Sequence, residues 1–247
     1  MSNTFETSPR HTIQDAFFTP GSLLLIRKRL TQEKTSEEHM ALYNLRYRVY
    51  CHEARFLNPD DYPDNLERDE YDAVSEHFLA SNARNKNEII GTVRLVRWSE
   101  RLSFPTVLHC PSLLKKLERQ KFPLESTAEI SRLCIARQYR SCAVDGLHGA
   151  KINTDNRDQW KRFSAVILEL FKIMYLSSRY DLGITHWIAT FEDSLYRMLE
   201  RYGVYFELLA PEYIDYYGKV RIYGACIRRV EDEMRRRRPE LAAFFER

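Results

Sequence analysis

The stretch AEISRLCIARQYR, residues 128–140, decides how the middle of this chain folds. Its apolar side chains are spaced as in a β-strand packed in a core: Ile130, Leu133 and Ile135. Glu129 and Arg132 lie inside that pattern, where a central strand would have to remove both charges from water. Strand geometry places Glu129 and Ser131 on one face and Arg132 on the other. The two charges are therefore expected to find partners in other elements.

Two other arginines also stand where the local pattern favours an apolar residue. Arg46 lies beside the apolar stripe of a predicted helix in LRYRVY, and Arg94 lies mid-strand in GTVRLV. The loop ERDEYD supplies candidate carboxylates: Glu67, Asp69 and Asp72. For any one of these residues, a structural ion pair that fixes the loop to the sheet is an adequate explanation. Buried ion pairs rarely exist for stability alone, so the set as a whole favours a functional site.

Composition indicates a folded protein without a specialised surface. The chain has 247 residues, 44% hydrophobic, with 30% charged residues and a net charge of +3. That is enough apolar material for a core, and the mixed charge gives no support for dedicated nucleic-acid binding. The five unclustered cysteines predict free thiols in a reducing compartment. No signal peptide or apolar run of about 20 residues is visible, so a cytoplasmic location is expected.

The periodicity predicts alternating helices and strands with a hairpin. A helix is expected over about 36–52 and the clearest one begins at Trp160, while SEHFLASNA and EIIGTVRLVRW form the hairpin. We predict an α/β fold with a mixed, mostly antiparallel central sheet and helices on both faces. The chain divides into a leader (1–19), a main domain (20–230) and a charged helical tail (231–247).

The sequence lacks the motifs that are typical of several other kinds of active site. Asp69 and Asp72 lack a neighbouring His or EF-hand spacing, and the histidines are scattered, so no metal site is predicted. There is no GxSxG elbow for a serine nucleophile. The arginine run 235–238 lies on a short amphipathic helix and is interpreted as a solvated face.

Four motifs, LRYRVY, ERDEYD, GTVRLV and AEISRL, resemble in order and spacing those of N-acyl-homoserine-lactone (autoinducer) synthases and N-acyl amino acid synthases. Both groups have the GNAT-like acyltransferase fold, and the resemblance is strongest to acyltransferases associated with PEP-CTERM/exosortase systems. It spans about residues 40–225. The reaction that it implies is transfer of an acyl group from an acyl carrier protein thioester to an amine.

The resemblance also implies roles for individual residues. Glu129, Ser131 and Arg132 correspond to its Glu-x-Ser-Arg motif, with Glu129 as the candidate for proton transfer. The substrate-binding candidates are Arg46, Tyr50, Phe56, Asp69, Asp72 and Arg94. Phe56 stands where autoinducer synthases usually have Trp, and Tyr50 where they have Phe. These two differences favour an N-acyl amino acid synthase over a lactone synthase.

The acyl donor is predicted from the end of the stretch 128–140 and the residues that follow it. Many GNAT enzymes have a glycine-rich loop there, whose amides bind the pyrophosphate of coenzyme A. IARQYRSCAVDG lacks those glycines, which favours acyl-phosphopantetheine on an acyl carrier protein over acyl-CoA, with no tightly bound cofactor. Because carrier proteins are acidic, a basic docking surface is expected, and the nearby cations are Arg137, Arg140, Lys151, Lys161 and Arg162. A non-catalytic GNAT-like binding module is the alternative from a different class.

Overall fold

The computed structural model describes residues 25–30, 37–82, 85–140 and 157–246, without the side chains of 25–27, 85–87 and 157–164. Seven strands form one sheet in the order β1-β2-β3-β4-β5-β7-β6. Its strands are β1 (Leu25–Leu30), β2 (Ser75–Asn82), β3 (Asn85–Arg97), β4 (Thr127–Ile135), β5 (His186–Phe191), β6 (Glu207–Asp215) and β7 (Lys219–Cys226). Every pair is antiparallel except β4 with β5. The predicted mixed, mostly antiparallel sheet is confirmed.

Six α-helices are described. They are α1 (Glu37–Tyr47), α2 (Leu113–Arg119), α3 (Arg157–Leu176), α4 (Asp193–Arg201), α5 (Ile227–Arg237) and α6 (Pro239–Glu246). Helix α1 continues as a π-helical turn, Arg48–Glu53. Helix α4 begins after Glu192, and Gly203 follows its end with a φ of +81°, the left-handed conformation that often ends a helix.

Helices cover both faces of the sheet. On one face the largest core cluster joins β2–β5 and β7 to α3–α6, and Phe171 and Trp187 are among its fully buried members. On the other face, α1 and the π-helical turn that continues it pack with Leu42, Leu45 and Val49 buried, as the apolar stripe predicts. Helix α2 covers the β5–β7 end of that second face through Leu113 and Leu117. Burial on both faces explains why the central strands are largely apolar.

The C-terminal segment is two helices rather than one, because Pro239 starts a new helix. Met234, Leu241 and Phe245 are buried in the main core. The charged side of α5 is made of exposed arginines paired with nearby acids, such as Arg236 with Glu233. The interpretation of this run as a solvated face agrees with these pairs.

Candidate active site

A β-bulge in β4 sets the geometry of the site. Arg94 of β3 pairs with Ser131, and Thr92 pairs with Cys134, so Arg132 and Leu133 together face Val93. Arg132 has a φ of +50°, a left-handed conformation that is uncommon outside glycine. Strict alternation had predicted that Arg132 points away from Ser131. That prediction is wrong, because the extra residue turns the Arg132 side chain to the face that holds Arg94 and Ser131.

The three arginines and three carboxylates form a closed ring of alternating charge. Arg46 donates to Glu67, and Glu67 accepts from Arg132 Nε at 3.0 Å. Arg132 Nη2 bonds Asp69 at 3.0 Å, and Arg94 Nη1 bonds both Asp69 at 2.5 Å and Asp72 at 2.8 Å. Arg46 closes the ring with two bonds to Asp72, at 2.7 and 3.2 Å. The ring ties α1, β3 and β4 to the loop that holds the carboxylates.

The ring is buried and neutral in sum. The Arg46, Arg94 and Glu67 side chains are almost completely inaccessible, and Asp69, the most open member, is 19% exposed. Burial alone would raise the pKa of Asp72 and of Glu67. The hydrogen bonds and charges of the neighbouring arginines outweigh burial and hold both pKa values below the ordinary ones. Both carboxylates therefore stay ionised. All three arginines are engaged with protein carboxylates, and Arg132 also borders open space.

Glu129 is held apart from the ring by a different partner. It is fully buried, and both of its carboxylate oxygens accept hydrogen bonds from Thr106: Oε2 from the backbone N–H at 3.0 Å and Oε1 from Oγ1 at 2.8 Å. Burial raises the pKa of Glu129 to about 7, although the Thr106 bonds act to lower it. A carboxyl group with a pKa near neutrality can both accept and return a proton.

A cleft opens where β4 and β5 stop pairing. The two strands are in register over Thr127–Ile130 and His186–Ala189 and have no paired residues beyond that point. The gap contains about 630 Å³ of empty space, continuous with solvent. It is lined by side chains from both strands and from two neighbouring segments: Tyr50, Ser131, Arg132, Leu133, Thr190, Glu192, Leu195, Tyr216 and Tyr217 among others. Ser131 Oγ accepts from Arg94 Nε at 3.0 Å, which links the cleft to the ring.

A second, more apolar cavity adjoins the cleft. It has about 370 Å³ of empty space and shares Tyr50 and Leu133 with the cleft. Phe56 and Ile135 complete much of its wall, and Tyr50 Oη donates to the Leu133 carbonyl at 3.3 Å. The predicted residues Tyr50 and Phe56 therefore come together, with ring centroids 6.2 Å apart.

The turn between β6 and β7 brings two aromatic residues that the sequence reasoning missed. Tyr217 has a φ of +54°, and its ring lies 5.2 Å from the Arg132 guanidinium and 6.1 Å from the Phe56 ring. Tyr216 is nearly buried and stacks on His109 with ring centroids 4.0 Å apart. The sequence Tyr-Tyr-Gly in a hairpin turn was the signal that could have pointed to these two residues. Thr106 was missed too, because nothing local marks it as the partner of Glu129.

The structure describes only some of the residues predicted to dock a carrier protein. Arg137 is exposed after β4. Arg140 forms an ion pair with Glu53, is 10% exposed, and lines the second cavity. Lys151 lies outside the described residues, and so do the side chains of Lys161 and Arg162. The charge of Arg140 is therefore shared between the ion pair with Glu53 and the predicted docking surface.

His77 is a buried histidine against the ring. It is 2% exposed, its Nε2 lies 3.6 Å from Asp72 Oδ1, and Arg46, Arg94 and His39 lie nearby. Burial lowers the pKa of His77 to about 3, while the Asp72 carboxylate acts to raise it and the two arginines to lower it. The imidazole is therefore neutral in the folded protein at neutral pH.

The neutral His77 makes folding sensitive to mild acid. An unfolded histidine takes up a proton near pH 6.5, and the folded one does not, so the contribution of His77 to stability is full above about pH 6.5 and falls as the pH drops toward 3. Replacing His77 by Phe should reduce the loss of unfolding free energy between pH 7 and 5 by about 1–2 kcal/mol. Urea unfolding at both pH values measures this. Glu129 titrates in both proteins and cancels in the difference; equal losses would contradict the prediction.

Comparison with known proteins finds a family match in the part of the chain that forms this site. Residues 45–148 match the family model described as Acetyltransferase (GNAT) domain. This segment contains the complete charge ring, Glu129 and Thr106. This part of the chain is therefore similar to a GNAT acyltransferase domain. A search of curated protein sequences finds no match.

Solved structures of acyl-transferring enzymes share the GNAT fold of this chain. The AHL synthase LasI superposes with a TM-score of 0.54 at 16% identity, covering 82% of this chain and 89% of LasI. The CoA-dependent acyl-homoserine lactone synthase BjaI, with SAM and isopentyl-CoA, gives 0.54 at 17% identity, covering 84% and 90%. FeeM, an N-acyl amino acid synthase from uncultured soil microbes, gives 0.53 at 9% identity, covering 87% and 96%. At these identities the likeness is one of fold.

The described residues contain no cluster of three or more His, Cys, Asp or Glu side chains arranged to hold a metal ion. Within the same ranges, no helix is long and apolar enough to cross a membrane.

Proposed function

We propose that this protein transfers a fatty acyl group from an acyl carrier protein thioester to the amine of an amino acid or a similar small acceptor. The observation that carries the proposal is the cleft between β4 and β5, beside a carboxyl group with a pKa near 7. An acyl transfer to an amine needs a site that removes a proton and excludes water. Glu129 provides the first of these conditions, and a donor bound in the cleft would displace water from it.

The cleft suits the donor because its two strands separate. Beyond Ile130 and Ala189, the facing edges of β4 and β5 are not paired with each other. A phosphopantetheine arm is linear and contains two amide groups, which can bond the backbone groups of an open strand edge. The arm would enter between the strands and bring its thioester near Ser131 and Arg132.

The second cavity suits the acyl chain. Most of its wall is made of apolar side chains from the π-helical turn and the residues after it, from β4 and from α3: Val49, Ala54, Phe56, Leu133, Ile135 and Ile167. The charged Arg140 also lines it. Transfer of an alkyl chain from water into such a cavity contributes about 0.8 kcal/mol for each buried CH₂. Because the cavity shares Tyr50 and Leu133 with the cleft, a thioester in the cleft could place its alkyl chain there.

The acceptor would meet Arg132 rather than Arg46 or Arg94. Arg132 lines the cleft, and its Nη1 takes no part in the charge ring. An amino acid acceptor carries a carboxylate, which a guanidinium binds well. Arg46 and Arg94 serve the same purpose indirectly, since they hold the loop that fixes Arg132.

Lipid analysis of a heterologous host tests the proposal. Expression of the chain should produce new N-acyl amines that are absent when the E129Q variant is expressed. The alternative, an N-acyl-homoserine-lactone synthase, has support from the fold shared with LasI and BjaI. New acyl-homoserine lactones without N-acyl amino acids would favour that alternative. A cytoplasmic location and an association with PEP-CTERM/exosortase systems stay predictions.

The carrier-protein donor predicts a charge effect that acyl-CoA would not show. Reversal of Arg137 with R137E should raise the KM for an acyl carrier protein donor roughly 5-fold or more, since such surfaces steer acidic partners. The KM for an acyl-CoA of equal chain length should stay unchanged. R119E, which reverses an exposed charge on α2, is the matched control. An unchanged KM for the carrier protein in R137E would contradict docking at this surface.

A further inference from the structure

Arg132 is the member of the charge ring that lines the cleft. Its Nε bonds Glu67 and its Nη2 bonds Asp69, both at 3.0 Å. Because a guanidinium has five N–H donors, these two bonds leave both hydrogens of Nη1 and one of Nη2 for another partner. Such a pair of nitrogens fits the two oxygens of a carboxylate. How firmly the guanidinium is held therefore decides how well a carboxylate in the cleft can bind.

Two tyrosine rings lie against the Arg132 guanidinium. The centroid of the Tyr217 ring is 5.2 Å from Cζ, and that of the Tyr50 ring is 5.5 Å from it. Both distances are those of a cation–π contact, which attracts the cation and leaves its hydrogen-bond donors available. Tyr50 is also fixed by the bond from its Oη to the Leu133 carbonyl. Tyr217 reaches Arg132 from the turn between β6 and β7.

The backbone of Tyr217 adopts an uncommon conformation to place this ring. Its φ is +54°, in the left-handed region that favours glycine and asparagine. Gly218 follows with a φ of +113°, and the Tyr216 N–H donates to the Gly218 carbonyl at 2.9 Å. A tyrosine is a costly residue at such a position, and costly backbone conformations are concentrated at functional sites. The Tyr217 ring therefore points to a function that the turn alone does not require.

The Tyr217 ring also spans the two sides of the cleft. The β6–β7 hairpin joins the sheet on the β5 side, whereas Arg132 belongs to β4, and the two strands have no paired residues in this region. On the far side, the ring centroid lies 6.1 Å from that of Phe56 and 6.3 Å from that of Tyr50. Both of those rings line the second cavity. The guanidinium is thus held by carboxylates through its N–H groups and by aromatic rings beside them.

We propose that Tyr217 is a positioning residue that holds the Arg132 guanidinium for the carboxylate of the acceptor, and that it thereby favours amino acids over amines without a carboxylate. This rests on the proposed function. Glu67 and Asp69 fix the Nε side of the guanidinium, and the Tyr217 ring limits the movement of the rest of it. The ring also keeps water from the cation, which strengthens a bond from Nη1 to a carboxylate.

Replacing Tyr217 by Asn tests the proposal, because Asn tolerates the left-handed backbone and removes the ring. Y217N should raise the KM for the amino acid that wild type acylates fastest roughly 5-fold or more, with the KM for the acyl donor within 2-fold of wild type. The ratio of kcat/KM for that amino acid to kcat/KM for the amine that lacks only its carboxylate should fall by the same factor. An unchanged amino-acid KM, or an equal loss with both acceptors, would overturn the proposal.

Further variants separate the ring from the turn that carries it. Y217F keeps the ring and should keep the amino-acid KM within 2-fold of wild type, so a Y217F variant as weak as Y217N would overturn the role of the ring. Y213N is the matched control: Tyr213 of the same hairpin lies over Lys219 at 4.4 Å and Arg221 at 4.9 Å but lines neither cavity. It should leave both KM values unchanged.

The outcomes also distinguish this proposal from the proposed function. If Y217N does not fold, Y217G decides in the same way, because glycine adopts the left-handed backbone freely. A wild-type protein that transfers no acyl group contradicts the proposed function and the role of Tyr217 together. An active wild type with an unchanged amino-acid KM in the folded variant contradicts the role of Tyr217 alone.

Discussion

Replacing Glu129 by Gln is expected to lower kcat for acyl transfer by about 10³-fold, a typical loss on removal of a general base. The amide is close in size and can keep both contacts with Thr106: its oxygen accepts from the backbone N–H, and its NH₂ donates to Oγ1. The Tm should therefore stay within a few degrees of wild type. Steady-state kinetics and a thermal melt measure the two effects.

The pH profile gives the same prediction a second readout. Because burial raises the pKa of Glu129 to about 7, the ionised base forms as the pH rises through 7, and kcat/KM should rise with it before reaching a plateau. The E129Q variant should lose this rise. E76Q is the matched control, since Glu76 is also a mostly buried strand carboxylate but bonds Arg29. An E129Q variant with more than a tenth of wild-type kcat would contradict the role of Glu129.

Replacing Arg46 by Met is expected to lower the free energy of unfolding by about 3–5 kcal/mol, the cost of breaking a buried ion pair. Met preserves the apolar volume but leaves Glu67 and Asp72 in the core with one cation fewer each. For a domain of this size the Tm should fall by roughly 10 °C. Urea unfolding at pH 7 measures the free energy directly.

R68M is the matched control for R46M. Arg68 pairs with Asp64 at 2.5 Å, but both side chains are about half exposed, 54% and 42%. Exposed pairs of this kind contribute less than about 1 kcal/mol. A loss of under 1 kcal/mol in R46M would show that the ring does not hold the loop to the sheet.

Much of the fold follows from local pattern. The apolar stripe of α1, the β2–β3 hairpin and the long α3 are visible because their periodicity is strong and their ends carry turn chemistry. The charges within apolar segments also pointed correctly to the ring, since a buried arginine must have a partner. Arg46, Arg94 and Arg132 were found in this way together with their carboxylates.

The other features of the fold and of the site depend on contacts between residues that are far apart in the sequence. The bulge at Arg132 breaks strand alternation, and no residue such as glycine marks it in the sequence. Thr106 meets Glu129 across 23 residues, and Tyr216 reaches the cleft from a hairpin near the end of the chain. Periodicity carries no information on such pairings. The sequence therefore indicated the charged residues of the site but not Thr106 or the tyrosines of that hairpin.

The most direct measurement of the central claim is acyl transfer by the purified chain. Wild type and E129Q would be incubated with a long-chain acyl carrier protein or the matching acyl-CoA and a panel of amino acids, with products followed by mass spectrometry. The account predicts an N-acyl amino acid from wild type, faster with the carrier protein, and about 10³-fold less from E129Q. No amide product from wild type with either donor, or equal product from E129Q, would contradict it.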